Sequence, residues 1–383
     1  MPRIKIAHTH TIQKSIMAER ETSHRREFLQ GKSAVRALRD VAQGAEEELG
    51  GASLVEPGSR ESYLVQVTRD AMACQFAVIL NVGQYPEGTE AALAALDLVD
   101  QLEDQLSVYR PHSELSRLND RAAAEPVVVE PRMFALLELA AEIWRETGGA
   151  FDMTTGPLSR AWGFFKRQGR LPQPEELEEA LVHVGTEQVT LDVAECSVAF
   201  AEVGVEVNVN GIGKGYALDR AGEVLRESGV VDFLLHGGQS SVLAGGARGS
   251  RHGRGWTVGL RHPLRPERRL AEFYLRDRAL GTSGSATQFF HFGGKRYGHV
   301  IDPRSGMPVE GVYSATVTAP TAAQADALAT AFYVLGPAEA RRYCDSHDGI
   351  ACALVTGGPR QGSIEIHTAG LAQGDWRLLD DAA

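Results

Sequence analysis

Val207-Asn208-Val209-Asn210-Gly211-Ile212-Gly213-Lys214-Gly215-Tyr216 carries the chain from a strand-like run, through three glycines, into a helix. Glycine lets a backbone come close to a ligand, and the first turn of a helix offers N–H groups and a partial positive charge. Lys214 adds a mobile cation, so the segment suits a phosphate. Its spacing is neither the GxGxxG of a dinucleotide fold nor a Walker A loop, and a plain strand–turn–helix accounts for the same residues. Outward from this point no regular βαβα alternation appears. That pattern predicts an α+β fold of mixed sheets with flanking helices, rather than a Rossmann sheet.

The apolar periodicity supplies the elements. Strands are predicted over 63–68 and 75–82, with a helix over 89–106 whose Leu93, Leu96, Val99, Leu102 and Leu106 share one face. A second helix starts at Pro131 and runs to Thr147; it is apolar nearly all round and is predicted to be buried. Further helices are predicted over 174–182, 215–228, 322–335 and 337–346, and strands over 189–191 and 197–200. Strands dominate from the 215–228 helix to about Thr318.

The chain has 383 residues, with 39 Lys+Arg against 50 Asp+Glu, a net charge of −11. Residues 1–40 hold nine of the basic and four of the acidic residues, net +5, which leaves about −16 for the rest. So acidic a body argues against nucleic acid as a partner. No apolar run reaches the ~18 residues of a membrane helix. The four cysteines form no CxxC pair and read as free thiols. Residues 1–60 read as a basic tail, 61–375 as one domain, and 376–383 as a short C-terminal tail. Ser23-His24-Arg25-Arg26-Glu27-Phe28-Leu29 resembles a twin-arginine export signal, but the following residues are charged rather than apolar. A cytoplasmic location is the expectation, with export left open.

Two more segments carry chemistry. In Tyr297-Gly298-His299-Val300-Ile301-Asp302-Pro303, period-two alternation places Tyr297, His299 and Ile301 on one strand face before a turn. His299 there is placed to act as base, acid or hydrogen-bond donor, or simply to bond the turn. In Thr321-Ala322-Ala323-Gln324-Ala325-Asp326-Ala327-Leu328-Ala329-Thr330, the carboxylate and the hydroxyl lie four apart on one side of a helix. If buried they need a partner: a hard cation such as Mg²⁺, or a neighbouring basic side chain. The alternative is a solvated face. Finally, Gly149-Ala150-Phe151-Asp152 follows the buried helix, where Phe151 is able to pack on a flat ring and Asp152 to accept ring N–H groups, or both to serve loop packing.

Together with Ser107–Asn119, Lys214–Asp219 and Thr282-Ser283-Gly284, these segments resemble the ApbE family of FAD:protein FMN transferases, over about residues 63–370. The resemblance implies a T-fold-like α+β architecture with FAD in a cleft between lobes. It also implies transfer of FMN from FAD, with release of AMP, to a Thr or Ser hydroxyl of an acceptor flavoprotein. Met72, Tyr109, Ala150, Phe151, Asp152, Asn208, Lys214 and Ile301 fall at FAD-enclosing positions. Gly211, Asp326 and Thr330 fall at a Mg²⁺ site, and His299 and Lys214 near the pyrophosphate as catalytic candidates. An Mg²⁺-dependent FAD pyrophosphatase and a non-catalytic flavin-binding protein would use the same residues. The chain departs from the usual pattern at Met72-Ala73-Cys74 for M-G-T, at Asn208 for Asp, at Gln239-Ser240-Ser241 where an acidic residue is common, and at Ser285 for Asp or Asn.

Overall fold

A computed structural model describes residues 3–6, 63–166, 168–249, 254–284, 289–360 and 362–379. Most of the 1–60 segment, the twin-arginine-like stretch and Ser285 lie outside the described residues. The first strand is β1 (Arg3–Ile6), followed by β2 (Leu64–Ala71) and β3 (Cys74–Asn81). Then come α1 (Gly88–Leu106), α2 (Glu114–Arg121), β4 (Val127–Val128), α3 (Pro131–Glu146), α4 (Gly156–Ala161), α5 (Pro174–Val182), β5 (Val189–Asp192) and β6 (Ser197–Phe200). The central part holds α6 (Gly213–Glu227), β7 (Phe233–Gly237), β8 (Ser241–Gly245), β9 (Trp256–His262), β10 (Arg265–Leu275), β11 (Arg278–Gly284), β12 (Phe289–Phe292) and β13 (Lys295–Gly298). The last elements are β14 (Val312–Ala319), α7 (Ala322–Ser346), β15 (Ala351–Gly357), β16 (Ile364–Ala369) and β17 (Trp376–Leu378).

The main sheet has nine strands in the order β1-β2-β3-β7-β8-β11-β14-β15-β16. Every neighbouring pair in it is antiparallel. This is the α+β arrangement expected from the lack of βαβ alternation. Helices α1, α6 and α7 cover one face of this sheet, and the three-stranded sheet β17-β10-β9 covers part of the other. Because β8 and β15 are covered on both sides, they read as short apolar runs, Ser241–Gly245 and Ala351–Val355, rather than as alternating strands.

The main core joins the helix layer to the sheet. A second cluster (Trp256, Leu270, Phe273, Leu280, Val355) lies between the two sheets, and a third gathers Leu158, Trp162, Phe164 and Ile301 with Phe290 and Tyr297. Helix α3 buries Met133, Phe134, Leu136, Leu137, Ala140 and Ile143, as its composition predicts. The four cysteines are free thiols, and the Sγ atoms of Cys344 and Cys352 stand 3.7 Å apart.

Several boundaries differ from the reading of the sequence. Helix α2 was not foreseen as a helix, although Ser113 Oγ caps it by accepting the Ser116 N–H at 2.9 Å. Helix α6 starts at Gly213, so Lys214 lies inside its first turn rather than ahead of it. The predicted helices 322–335 and 337–346 run together as α7 and meet at Gly336, whose φ of 76° breaks the helix just before Pro337.

Candidate active site

The first turns of α6 and α7 meet because both helices are bare at the contact. A Cβ on Gly215 would stand 2.0 Å from the Ala322 carbonyl oxygen, and one on Gly281 of β11 would stand 2.3 Å from the Ala325 carbonyl oxygen. Glycine at both positions lets α7 settle against α6 and the sheet. Asp219 on α6 then fixes the start of α7: its two carboxylate oxygens accept the N–H groups of Ala322 and Ala323 at 2.8 and 2.9 Å. Burial outweighs those two donors and pushes the Asp219 carboxyl up to about 6.

This placement fixes the carboxylate that the sequence singled out. Asp326 is 5% exposed. Its Oδ1 accepts Ser241 Oγ–H at 2.8 Å, its Oδ2 accepts the Gly215 N–H at 3.1 Å, and Lys214 Nζ stands 3.6 Å from Oδ2. Asp326 is therefore buried with a basic neighbour, and the solvated-face alternative is excluded. One turn further along, Thr330 Oγ1 lies 2.9 Å from Ser283 Oγ. Gly211 faces it: a Cβ there would be 3.8 Å from Thr330 Oγ1 and 3.1 Å from the Phe151 ring.

These donors (one carboxylate, two hydroxyls and a backbone segment) are all oxygen, the set a hard cation takes. Among the described residues no three His, Cys, Asp or Glu side chains gather in one place. A cation here would draw most of its shell from hydroxyl, carbonyl, water and ligand oxygens. That is the usual situation of Mg²⁺, whereas a carboxylate cage suits Ca²⁺. The residues fit Mg²⁺.

Above this floor opens a cleft of about 840 Å³, within the usual range for a small-molecule site. All twelve residues singled out in the sequence line it: Met72, Tyr109, Ala150, Phe151, Asp152, Asn208, Gly211, Lys214, His299, Ile301, Asp326 and Thr330. Met72 occupies the tight β2–β3 turn, where it and Ala73 have φ of 48° and 58°. Tyr109 is 57% exposed, and its ring stands 4.7 Å from that of Phe165, with the Arg160 guanidinium 4.5 Å from the Phe165 centroid.

Asp152 is already engaged. Its Oδ1 accepts the Thr154 N–H, the Thr154 hydroxyl and the Thr186 hydroxyl, and its Oδ2 accepts the Thr186 N–H at 3.1 Å. Burial still raises its carboxyl above the ordinary range. In this state Asp152 pins the wall of the cleft. Asn208 Oδ1 accepts the Asn210 N–H at 2.9 Å, a turn that Asp and Asn close equally well, so the lost charge does not disturb the loop. Asn119 holds the preceding strand-like run with two 2.9 Å hydrogen bonds to the Val207 backbone.

His299 requires a correction. The strand ends at Gly298, and Ile301 makes only an isolated bridge with Pro308, so His299 does not continue a strand face. It belongs to the bend that leads into the Asp302 turn, where the Ser305 and Gly306 N–H groups return to the Asp302 carbonyl. The predicted turn is present, and His299 remains on the cleft wall. Sequence reasoning missed Phe165, Ser240 and Ser283 as lining residues and Ser241 as a partner of Asp326. The serines sat in quoted motifs without a role; for Phe165 the only signal was the Phe164-Phe165 doublet.

A buried carboxylate with lysine at the bottom of a cleft, on an antiparallel α+β scaffold, defines a ligand-binding protein with a charged site. Residues 72–354 match the ApbE family, and the chain belongs to it. It is a transferase. It is 32% identical over 272 residues to the FAD:protein FMN transferase of Escherichia coli (strain K12), covering 68% of this chain and 74% of that protein. It is 30% identical over 299 residues to the FAD:protein FMN transferase of Haemophilus influenzae, covering 76% and 86%. The crystal structure of the ApbE protein of Thermotoga maritima matches with a TM-score of 0.70 at 29% identity, covering 79% of this chain and 96% of that one. Apo flavinyl transferase ApbE of Pseudomonas stutzeri matches at 0.69 and 26%, covering 83% and 96%.

Proposed function

We infer that this chain is an Mg²⁺-dependent FAD:protein FMN transferase. It moves FMN from FAD onto a Thr or Ser hydroxyl of an acceptor flavoprotein and releases AMP. The observation that carries the reading is the Lys214–Asp326 pair, 3.6 Å apart, at the floor of the cleft beside the N-terminus of α6. A pyrophosphate needs positive charge and N–H donors there, and a cation needs the carboxylate.

In the reaction, the acceptor hydroxyl oxygen forms a bond to the FMN-side phosphorus. The bond from that phosphorus to the bridging oxygen breaks, and AMP leaves with the electron pair. Lys214, in the first turn of α6, holds the phosphate oxygens, and the α6–α7 contact fixes its distance from Asp326. Asp326, Thr330 and the Gly211 carbonyl would hold Mg²⁺, which when bound withdraws charge from the phosphate oxygens. His299, on the cleft wall, takes the hydroxyl proton, or it donates a hydrogen bond to a phosphate oxygen while the hydroxyl proton passes to solvent. General base help of this kind contributes about 10²–10⁴-fold. Phe151, Ile301 and the Tyr109–Phe165 pair offer apolar and aromatic surface to the flat ring systems of FAD.

The test incubates the full chain with FAD and Mg²⁺, with and without an acceptor flavoprotein. AMP formed only with acceptor supports transfer. AMP formed without it identifies a pyrophosphatase, and tight FAD binding with no AMP in either case identifies a binder. Asp326→Ala is expected to abolish Mg²⁺-dependent turnover; normal transfer by that variant would refute the metal assignment.

A further inference from the structure

A basic cluster in this acidic chain lies outside the cleft lining, on the hairpin formed by β9 and β10. Residues 261–269 read Arg-His-Pro-Leu-Arg-Pro-Glu-Arg-Arg: four arginines against one glutamate, net +3 in nine residues of a chain whose total is −11. All four arginines are exposed. The hairpin is built to hold them there. His262 is buried, and its Nδ1 accepts the N–H groups of Leu264 and Arg265 at 3.1 and 3.2 Å, which closes the tip. Beyond the tip the ladder pairs His262 with Arg265 and then Arg261 with Arg269, so Pro266, Glu267 and Arg268 bulge out of it. A bulge of this kind turns side chains away from the sheet.

Most of the charge is also left uncompensated. Arg269 has Glu272 at 3.6 Å, but among the described residues Arg261 donates only to the neutral Gln239 Oε1, at 2.6 Å. Arg265 and Arg268 have no carboxylate partner among the described residues. An exposed like-charged cluster is self-repulsive. The Gln239 contact also fixes where the cluster lies. Gln239 sits in the β7–β8 turn next to Ser240, which lines the cleft, so the Arg261 end of the arm is joined to a turn one residue from the cleft lining. Leu264, 40% exposed, is the one large apolar side chain at the tip. That is far too little apolar surface for insertion into a bilayer.

We propose that the β9–β10 arm is the docking surface for the acceptor polypeptide, and that it recognises an acidic segment flanking the hydroxyl to be modified. The proposal rests on the transferase reading, which requires a macromolecule to present its hydroxyl at this cleft. Guanidinium groups pair carboxylates in a bidentate fashion, and a charged cluster steers an oppositely charged partner. The arm thus acts on acceptor capture, whereas FAD is held by the cleft floor.

The test uses the full chain and a fluorescein-labelled peptide rich in Asp and Glu around a central Thr, with a lysine-rich peptide of the same length as control. Binding is read by anisotropy at low and at high salt. The acidic peptide is expected to bind in a salt-sensitive manner and the lysine-rich one not to bind. Arg265→Gln/Arg268→Gln should weaken acidic-peptide binding on the order of tenfold, and Arg265→Lys/Arg268→Lys should restore most of it. FAD binding, read by quenching of flavin fluorescence, should be the same in all three proteins. Equal affinity for both peptides, or an acidic peptide that binds the glutamine variant as tightly, overturns the proposal. So does arginine-dependent binding to pure phosphatidylglycerol vesicles with no binding of the acidic peptide, which makes the arm a membrane contact. A chain that binds the acidic peptide but no FAD refutes the flavin reading and leaves the arm intact, so the two failures are separable.

Discussion

Replacing Gly215 with alanine tests whether the α6–α7 contact sets the geometry of the site. The added Cβ would stand 2.0 Å from the Ala322 carbonyl oxygen and 2.4 Å from its carbon. Both are backbone atoms of a buried helix start, held by the two Asp219 hydrogen bonds, so no side chain is able to swing aside. To reach a tolerable separation the helices must part by about 1 Å, and overpacking of this kind costs about 3 kcal/mol at the upper end of its range. Alanine recovers about 1 kcal/mol of helix propensity over glycine, which leaves a net loss of about 2 kcal/mol. The same displacement widens the 3.6 Å Lys214–Asp326 pair. A misplacement of about 1 Å at reacting groups typically costs about 10²-fold in rate. Urea denaturation gives the first quantity, and AMP release at saturating FAD and acceptor gives the second. Gly222→Ala is the control in the same helix: its Cβ would press, at 2.7 Å, on a side-chain methyl of Leu243 rather than on backbone. That variant should keep its turnover. A Gly215→Ala protein with the stability and turnover of the parent would refute the idea that this contact positions the site.

Three further outcomes are expected. Ala73→Gly should stabilise the chain by roughly 0.5–1 kcal/mol in thermal or urea unfolding, since Ala73 now holds φ of 58° in the β2–β3 turn; a loss of stability would show that the turn is not strained. Ser241→Ala removes a buried donor to Asp326 and should cost roughly 1.5–3 kcal/mol, with a higher half-saturating Mg²⁺ concentration as the specific readout. Asp219, raised in the folded state to about 6 from 3.8, takes up a proton on folding between those values. Its contribution is therefore complete below about pH 4 and is lost as the pH rises through 6, on the order of 2–3 kcal/mol in all. Asp219→Asn should flatten that part of the stability–pH curve, and an unchanged slope would place the proton elsewhere.

Local pattern carried much of the fold. Helix α5 coincides with its predicted span, and α1 and α3 begin and end within two residues of theirs, because an apolar stripe, a proline at the first turn and a glycine stop act within one segment. Helix α2 escaped because only Leu115 and Leu118 are buried in its two turns, too little for periodicity to register. The 297–301 alternation misled for a related reason. Tyr297 and Ile301 do share one apolar cluster, but through a bend and not a strand, since the chain must turn at Asp302. What no local signal holds is the pairing of distant segments: Ser241 with Asp326 across 85 positions, or Arg261 with Gln239 across 22.

The glycines show how the two levels meet. In the sequence, Gly211, Gly213 and Gly215 read as a phosphate-suited strand–turn–helix, with Gly211 also implied at the Mg²⁺ site. In the structure each answers to a different neighbour. Gly211 makes room beside Phe151 and Thr330, Gly213 opens α6 so that Lys214 lies in its first turn, and Gly215 admits the α7 backbone and donates its N–H to Asp326. A buried carboxylate is costly unless donors surround it. Here one donor is Ser241 and the other is the N–H of a helix start that only glycine lets close enough, so the motif that reads as a place for phosphate also helps make the carboxylate tenable. Any substitution that restores ordinary side chains along 211–215 should therefore disturb Asp326 before it disturbs the fold. That ordering is measurable: Mg²⁺-dependent turnover should fail at a lower urea concentration than the unfolding transition in such variants, and coincident loss of both would show the two roles to be inseparable.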